Sequence, residues 1–115
     1  MASQREVEAF LAEFHVKMKI WKVLYRDDRG KNTQALANLE LWPIDRTKIL
    51  EKLKPTDYTE GPLAENLNFG SDMWIFGKDV KSREVYIKIT LGATDSEVIC
   101  ISFHIAEHPM NYPLK

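Results

Sequence analysis

Apolar residues recur with a helical period at the start of the chain and with a period of two near its end, so the pattern predicts helices first and a sheet last. Val7, Phe10, Leu11 and Phe14 stand at i, i+3, i+4 and i+7 and make one apolar stripe. Ser3 and Glu6 precede it at capping-box spacing, in which the serine accepts from a free backbone N–H and the glutamate reaches back to another. Over residues 17–26 the period becomes two. Met18, Ile20, Lys22 and Leu24 fall on one side of an extended chain and Lys19, Trp21, Val23 and Tyr25 on the other, which predicts a strand. A turn follows through Gly30, then a short helix over 34–41 carrying Leu36 and Leu39. Pro43 suits a first helical position, because its missing N–H would be unpaired there anyway. Ile44, Ile49, Leu50 and Leu53 give that next helix a buried side, and Pro55 ends it. Residues 55–70 read as irregular, punctuated by Pro55, Gly61, Pro62 and Gly70, with Tyr58, Leu63 and Leu67 available to pin the segment to a core.

The C-terminal half predicts a three-stranded meander over 73–80, 83–91 and 98–107, joined by short polar turns. In its second strand Val85, Ile87, Ile89 and Leu91 share a face, opposite Glu84, Tyr86, Lys88 and Thr90. In its third, Ile99, Ile101, Phe103 and Ile105 alternate with Cys100, Ser102, His104 and Ala106. The apolar faces need a cover, and the N-terminal helices supply it. The expected fold is therefore α+β, with N-terminal helices on one face of a C-terminal antiparallel sheet. Val85, Ile87, Ile89, Ile99, Ile101, Phe103 and Phe10 should be buried together, and Tyr86, Lys88 and His104 should lie on the reverse.

Composition narrows the class. A chain of 115 residues fits one domain, 1–115. At 44% hydrophobic and 29% charged it is an ordinary globular balance. The formal net charge of -1 advertises neither nucleic acid nor membrane in bulk. One cysteine excludes an internal disulfide framework and suits a reducing compartment. No apolar run approaches a membrane span, and the charged N-terminus does not read as a signal peptide, so the cytoplasm is expected with no membrane partner.

The polar sheet face gathers the most suggestive chemistry. His104 can gain or lose a proton near neutrality, Lys88 can hold an anion, and Tyr86 offers a phenol. A metal-free ribonuclease needs those parts: a base for the ribose 2′-OH, a cation for the phosphorane charge and an acid for the leaving 5′ oxygen. Half-exposed antiparallel sheets also carry polar faces merely because water touches them. His104 and His108 have the spacing of a helical zinc pair, but on an extended strand four residues span about 13 Å, too far for ligands at about 2 Å from one ion. No metal or other cofactor is expected. Cys100 lies among isoleucines, where a thiol is usually inert.

Charge is uneven along the chain. Lys17, Lys19, Lys22, Arg26, Arg29 and Lys31 face only Asp27 and Asp28, a local excess of four positive charges, with Trp21 and Tyr25 interleaved. Basic residues among aromatics can track a phosphate backbone and stack on bases. Lysines on a strand edge also serve to block unwanted sheet pairing. Lys19, Lys22, Arg29 and Lys31, with Lys78 and Arg83 from the meander, are the candidate RNA contacts.

The runs Asp72-Met73-Trp74, Glu84-Val85-Tyr86-Ile87-Lys88-Ile89-Thr90 and Val98-Ile99-Cys100-Ile101-Ser102-Phe103 resemble the C-terminal sheet of MqsR-type toxins. Thr56-Asp57-Tyr58, after a helix ending at Leu53, has its counterpart there too. These toxins belong to the RelE-like group of type II toxin–antitoxin ribonucleases. The resemblance covers the C-terminal half, and the N-terminal half only by order of elements. It implies a RelE-like fold and a metal-independent mRNA endoribonuclease held inactive by an antitoxin encoded nearby. The family's active-site tyrosine falls on Tyr86. Three other family positions differ: His104 stands where the family has lysine after the Ser-Phe pair, Glu60 where it has lysine after the Asp-aromatic pair, and Ile75 where it has glutamine after the tryptophan. The candidate catalytic set is His104, Tyr86 and Lys88. The alternative is a non-catalytic interaction module that docks a protein through the sheet face or through the apolar, proline-punctuated tail from His108 to Leu114.

Overall fold

Each element boundary follows a local device. The computed structural model describes residues 1–28, 30–64 and 70–115. Helix α1, Gln4–Trp21, begins at the expected capping box: the Glu6 N–H donates to Ser3 Oγ at 3.2 Å and the Ser3 N–H to Glu6 Oε1 at 2.9 Å. It then runs through the region expected as a strand. Met18 lies four residues after Phe14 and seven after Leu11, so it continues the buried stripe, and that burial outweighs the two-residue alternation. Lys17 anchors the same stretch by donating to the carbonyls of Leu91 and Ala93 at 2.6 and 2.8 Å. The helix stops at Lys22, whose φ of 71° is left-handed. Only Val23–Tyr25 remains extended, as β1.

Helix α2, Lys31–Leu39, starts within the expected turn, and α3, Pro43–Glu51, opens on its proline. The Asp45 carboxylate accepts from the Trp42 N–H at 2.8 Å at that start. A single 3₁₀ turn, Pro55–Asp57, leads into β2, Tyr58–Leu63. That strand falls in the segment expected to be irregular. Gly61 and Pro62 interrupt its alternation, and its pairing with β3 shifts register twice, so no sequence period marks it. Tyr58 is fully buried there; its hydroxyl donates to the Gly61 carbonyl and accepts from the Ala2 N–H. Leu67, the other expected anchor, lies outside the described residues.

Strands β3, Met73–Val80, β4, Arg83–Thr90, and β5, Val98–Ile105, form the expected meander. The five-stranded sheet has the order β1-β5-β4-β3-β2. It is mixed rather than antiparallel, because β1 pairs with β5 in parallel. Side chains from all three helices share one core with one face of the sheet. Phe10 stacks on Trp74 with ring centroids 4.6 Å apart, and Phe76, Val85, Ile87, Ile89 and Phe103 are fully buried beneath the helices.

The expected parity of β5 fails in its first half. Lys88 pairs with Ser102 but Ile89 pairs with Cys100, so Ile101 is an extra residue in the ladder. The bulge sends Val98 and Cys100 to the core side, together with Phe103. Ile101 is instead half-buried on the opposite face, and Ile99 is buried there outside the helix-side core. The Cys100 thiol is fully buried, and desolvation pushes its pKa up to about 12, so it is neutral and unreactive at physiological pH.

Candidate active site

The face turned away from the helices carries a cleft of about 480 Å³. Strand register builds it in rows. Gly77 of β3, Tyr86 of β4 and His104 of β5 are successive partners across the sheet. The adjacent row runs Glu60, Ile75, Lys88, Ser102 from β2 to β5. Both rows contribute to the same cleft, so the three proposed catalytic residues and the three positions that differ from the toxin family all converge there. Thr90 does not join them. It is fully buried, and its hydroxyl donates to the Ser71 carbonyl.

His104 and Tyr86 stack with ring centroids 5.1 Å apart and planes 13° from parallel. His104 Nδ1 lies 3.0 Å from the Ile105 carbonyl. A carbonyl only accepts, so Nδ1 carries the proton of the neutral ring and Nε2 is the basic nitrogen. Lys88 Nζ sits 5.9 Å from the Tyr86 ring centroid. Burial, then the nearby Glu60 carboxylate, raises the Tyr86 pKa above its usual value, so the phenol keeps its proton and acts as a donor.

The cleft's open side is narrowed by the C-terminal tail, residues 106–115. Glu84 holds it: one carboxylate oxygen accepts from the Met110 N–H at 3.1 Å and the other from the Tyr112 hydroxyl at 2.7 Å. Gly77 makes room for that tyrosine, since a Cβ there would collide with the Tyr112 hydroxyl and ring. Leu114 then packs against the core cluster. The tail thus packs Tyr112 and Leu114 against its own sheet and core. It also returns His108 to the cleft, because the chain bends after β5. The span estimated for an extended strand therefore does not separate His104 from His108. Among the described residues, no three histidine, cysteine or acidic side chains form a metal-holding group.

Asn32, unnoticed as a single polar residue in a predicted turn, fixes the outer edge of the site. Its amide nitrogen donates to the carbonyls of Arg26 and Ile101 at 2.6 and 3.1 Å, and its oxygen accepts from the Phe103 N–H at 3.0 Å. It continues the hydrogen bonding of β5 where β1 ends, beside Ser102 and His104.

The candidate RNA contacts do not form one patch. Lys31 reaches the cleft rim but pairs with Glu107 at 2.9 Å, both exposed. That pairing holds the Glu107 carboxyl below its usual pKa. Lys78 is paired with Asp57 at 3.0 Å and lines a second, smaller depression beyond the tail. Lys19 and Lys22 are exposed at the C-terminal end of α1, on the other side of the sheet from the cleft. Arg83 is exposed at the start of β4. Arg29 lies outside the described residues. Asp27, counted against the basic run, is bound bidentately by the buried Arg46 at 2.8 and 3.1 Å, and that guanidinium also lies 3.9 Å from the Tyr25 ring.

No protein-family profile, curated protein or solved structure matches the chain. Among the described residues no helix is long and apolar enough to cross a membrane.

Proposed function

We propose that this chain is a RelE-like ribonuclease of the MqsR type, the toxin of a type II toxin–antitoxin pair, that cleaves mRNA in the cleft without a metal. The carrying observation is the stacked His104–Tyr86 pair with Lys88 beside it, in which His104 Nδ1 is tied to a carbonyl and Nε2 is the basic nitrogen. The resemblance of β3, β4 and β5 to the toxin sheet supports the same reading.

In this reading His104 Nε2 takes the proton from a ribose 2′-OH. The 2′ oxygen attacks phosphorus, and the bond to the 5′ oxygen breaks as that oxygen takes a proton from solvent water. Lys88 offsets the charge on the pentacoordinate phosphorus, and the protonated Tyr86 donates a hydrogen bond to it. The products are a 2′,3′-cyclic phosphate and a 5′-hydroxyl. The family's lysine at position 104 is replaced by an imidazole, whose neutral ring offers one donor and one acceptor nitrogen. A cognate antitoxin encoded nearby is the expected protein partner.

End-labelled RNA incubated with purified protein tests this reading. Cleavage should persist in EDTA and give cyclic phosphate ends. Induced expression in bacteria should halt growth and deplete mRNA, and co-expression of the neighbouring gene should restore growth. Normal growth and intact RNA at high soluble expression would instead favour a binding module that uses the sheet face.

A further inference from the structure

Two depressions meet at His104. The cleft lies on one side of it, and a depression of about 460 Å³ between β5 and α2 lies on the other. Lys31, His104 and Glu107 line both. Asn32 hydrogen-bonds along the outer edge of β5, so the neighbouring Lys31 belongs beyond that strand, as Lys88 of β4 belongs inside it. Two ammonium-bearing residues thus flank the strand that carries His104.

The acid at this crossing is Glu107. Its carboxylate lies 2.9 Å from Lys31 Nζ. The Lys31 hydrogen bond and charge lower its pKa, and His104 and His108 pull the same way, so an anion here feels all three side chains. An ammonium offers three N–H donors and an imidazole at least one, whichever its protonation state. The side chains of Lys31 and Glu107 are 54% and 65% exposed, and exposed pairs of this kind hold weakly. The start of α2 brings no rival acid: Gly30 caps it without a side chain, and its first turn has no acidic residue. Past the crossing, the depression offers apolar Ala35 and Ile105 and the exposed amides of Gln34 and Asn38. An amide can donate to or accept from any base, so that surface suits a nucleotide without choosing among the four.

We propose that Lys31 and His108, beside His104, form a second phosphate site in which the Glu107 carboxylate stands in for an RNA backbone phosphate next to the scissile one. The strand then leaves the cleft across β5 and over α2. The inference rests on the ribonuclease reading for calling Lys88 the holder of the scissile phosphate, but not for the binding itself. A carboxylate and a phosphodiester each carry one negative charge, so a backbone phosphate can take the place of Glu107 on Lys31 while the carboxylate turns to water. The displaced charge remains nearby and opposes the strand. Glu107 is therefore a brake on binding that acts through Lys31.

The test is fluorescence anisotropy of the whole chain with a labelled 2′-O-methyl RNA hexanucleotide, which cannot be cleaved because its 2′ oxygens are blocked. Glu107→Gln should bind it about two- to fivefold more tightly than the parent, the scale of an exposed ion pair. Lys31→Ala should weaken binding, and its plot of log Kd against log salt should be shallower by about 0.7, the loss of one phosphate contact on a single strand. The double variant should match Lys31→Ala, because without the ammonium there is nothing for Glu107 to occupy. Circular dichroism should show the same fold throughout, since both side chains are exposed. Unchanged affinity in Glu107→Gln, an unchanged salt slope in Lys31→Ala, or a gain that persists in the double variant would overturn the site. Cleavage of ordinary RNA alongside any of those results would leave the ribonuclease reading standing without it. The expected binding changes with no cleavage of ordinary RNA would remove the ribonuclease reading and leave the phosphate site. No binding by any variant would overturn both.

Discussion

The two faces of the sheet are built from the same strands and obey opposite rules. On the helix side, Phe76, Val85, Ile87, Ile89 and Phe103 are each at 0% exposure and interlock with Phe10, Phe14 and Leu50. On the cleft side, Tyr86, Lys88, Ser102 and His104 are half-buried, and the C-terminal tail rather than a helix borders them. Along β4 the two sets alternate residue by residue. The contrast teaches that one strand can carry most of the fold's stability on its odd positions and its chemistry on its even ones. Substitutions should therefore separate cleanly into those that change folding and those that change rate.

The largest expected effect lies on the cleft side. His104→Ala should slow RNA cleavage by about 10²–10⁴-fold, the usual cost of losing a positioned acid or base. Its urea midpoint should stay close to that of the parent, since the ring faces the cleft and not the core. Cleavage at the parent's rate would break the comparison and pass the role to Tyr86 and Lys88. On the other face, Phe103→Ala removes a ring at 0% exposure and should cost about 3–5 kcal/mol in chemical unfolding. Its cleavage rate per folded molecule should change little at low temperature. A large loss of rate with little loss of stability would show that the faces are not independent.

How far the sequence foretold this arrangement depends on where the pattern was redundant. In β4 the alternation of Val85, Ile87 and Ile89 with Tyr86 and Lys88 is unambiguous, and the structure follows it. In β5 the run Val98-Ile99-Cys100-Ile101 is apolar at every position, so either parity would bury it, and the bulge at Ile101 decides. Ser102 and His104 lie beyond the bulge on the expected face, while Ile99 and Ile101 do not join the helix-side core. Over 17–21 a two-residue alternation coexisted with a helical one, and Met18 beneath the helix settled it. Strand β2 was hidden by Gly61 and Pro62, which read as punctuation but sit inside a bulged strand. The tail's path was illegible, because it depends on Gly77 and Glu84 meeting Tyr112 from a distant part of the chain.

A smaller effect is expected at the edge where the two faces meet. Asn32→Ala would strip the Ile101 carbonyl and the Phe103 N–H of their partner where Phe103 is fully buried and Ile101 half-buried. Leaving buried backbone groups unpaired costs about 1–3 kcal/mol each at most, and water entering at the edge should reduce that sum. Because those groups flank Ser102, the variant should lose rate as well as stability, unlike His104→Ala or Phe103→Ala. Hydrogen exchange at the Phe103 amide would show the change directly. Unaltered protection there would mean that the edge is held by β1 and not by Asn32.

The smallest effect at neutral pH, and the one that sharpens the comparison by sign, concerns a tyrosine on each face. Tyr86 on the cleft side and Tyr25 on the helix side both have raised pKa values, with desolvation as the leading cause. For Tyr25 the value reaches about 12, and its hydroxyl lies 2.6 Å from Thr47 Oγ1. Tyr25→Phe should cost only about 0.5–1.5 kcal/mol at pH 7, the net worth of an ordinary hydrogen bond. Alkaline conditions amplify its role. An unfolded tyrosine ionises near pH 10. Below that pH the phenol is neutral in both states and its contribution is fully present. Between pH 10 and about 12 the unfolded chain has released the proton while folded Tyr25 still holds it, so stability falls as pH rises and the contribution is lost above the folded value. Cys100 acts in the same sense but begins to do so nearer pH 9, the ordinary thiol range, which separates the two in a titration. Urea midpoints measured at half-unit steps from pH 8 to 12 should decline less steeply above pH 10 in Tyr25→Phe than in the parent. Tyr86→Phe, more open to water, should flatten that limb less. Equal slopes in all three proteins would show that the helix side holds its tyrosine no more tightly than the cleft side does.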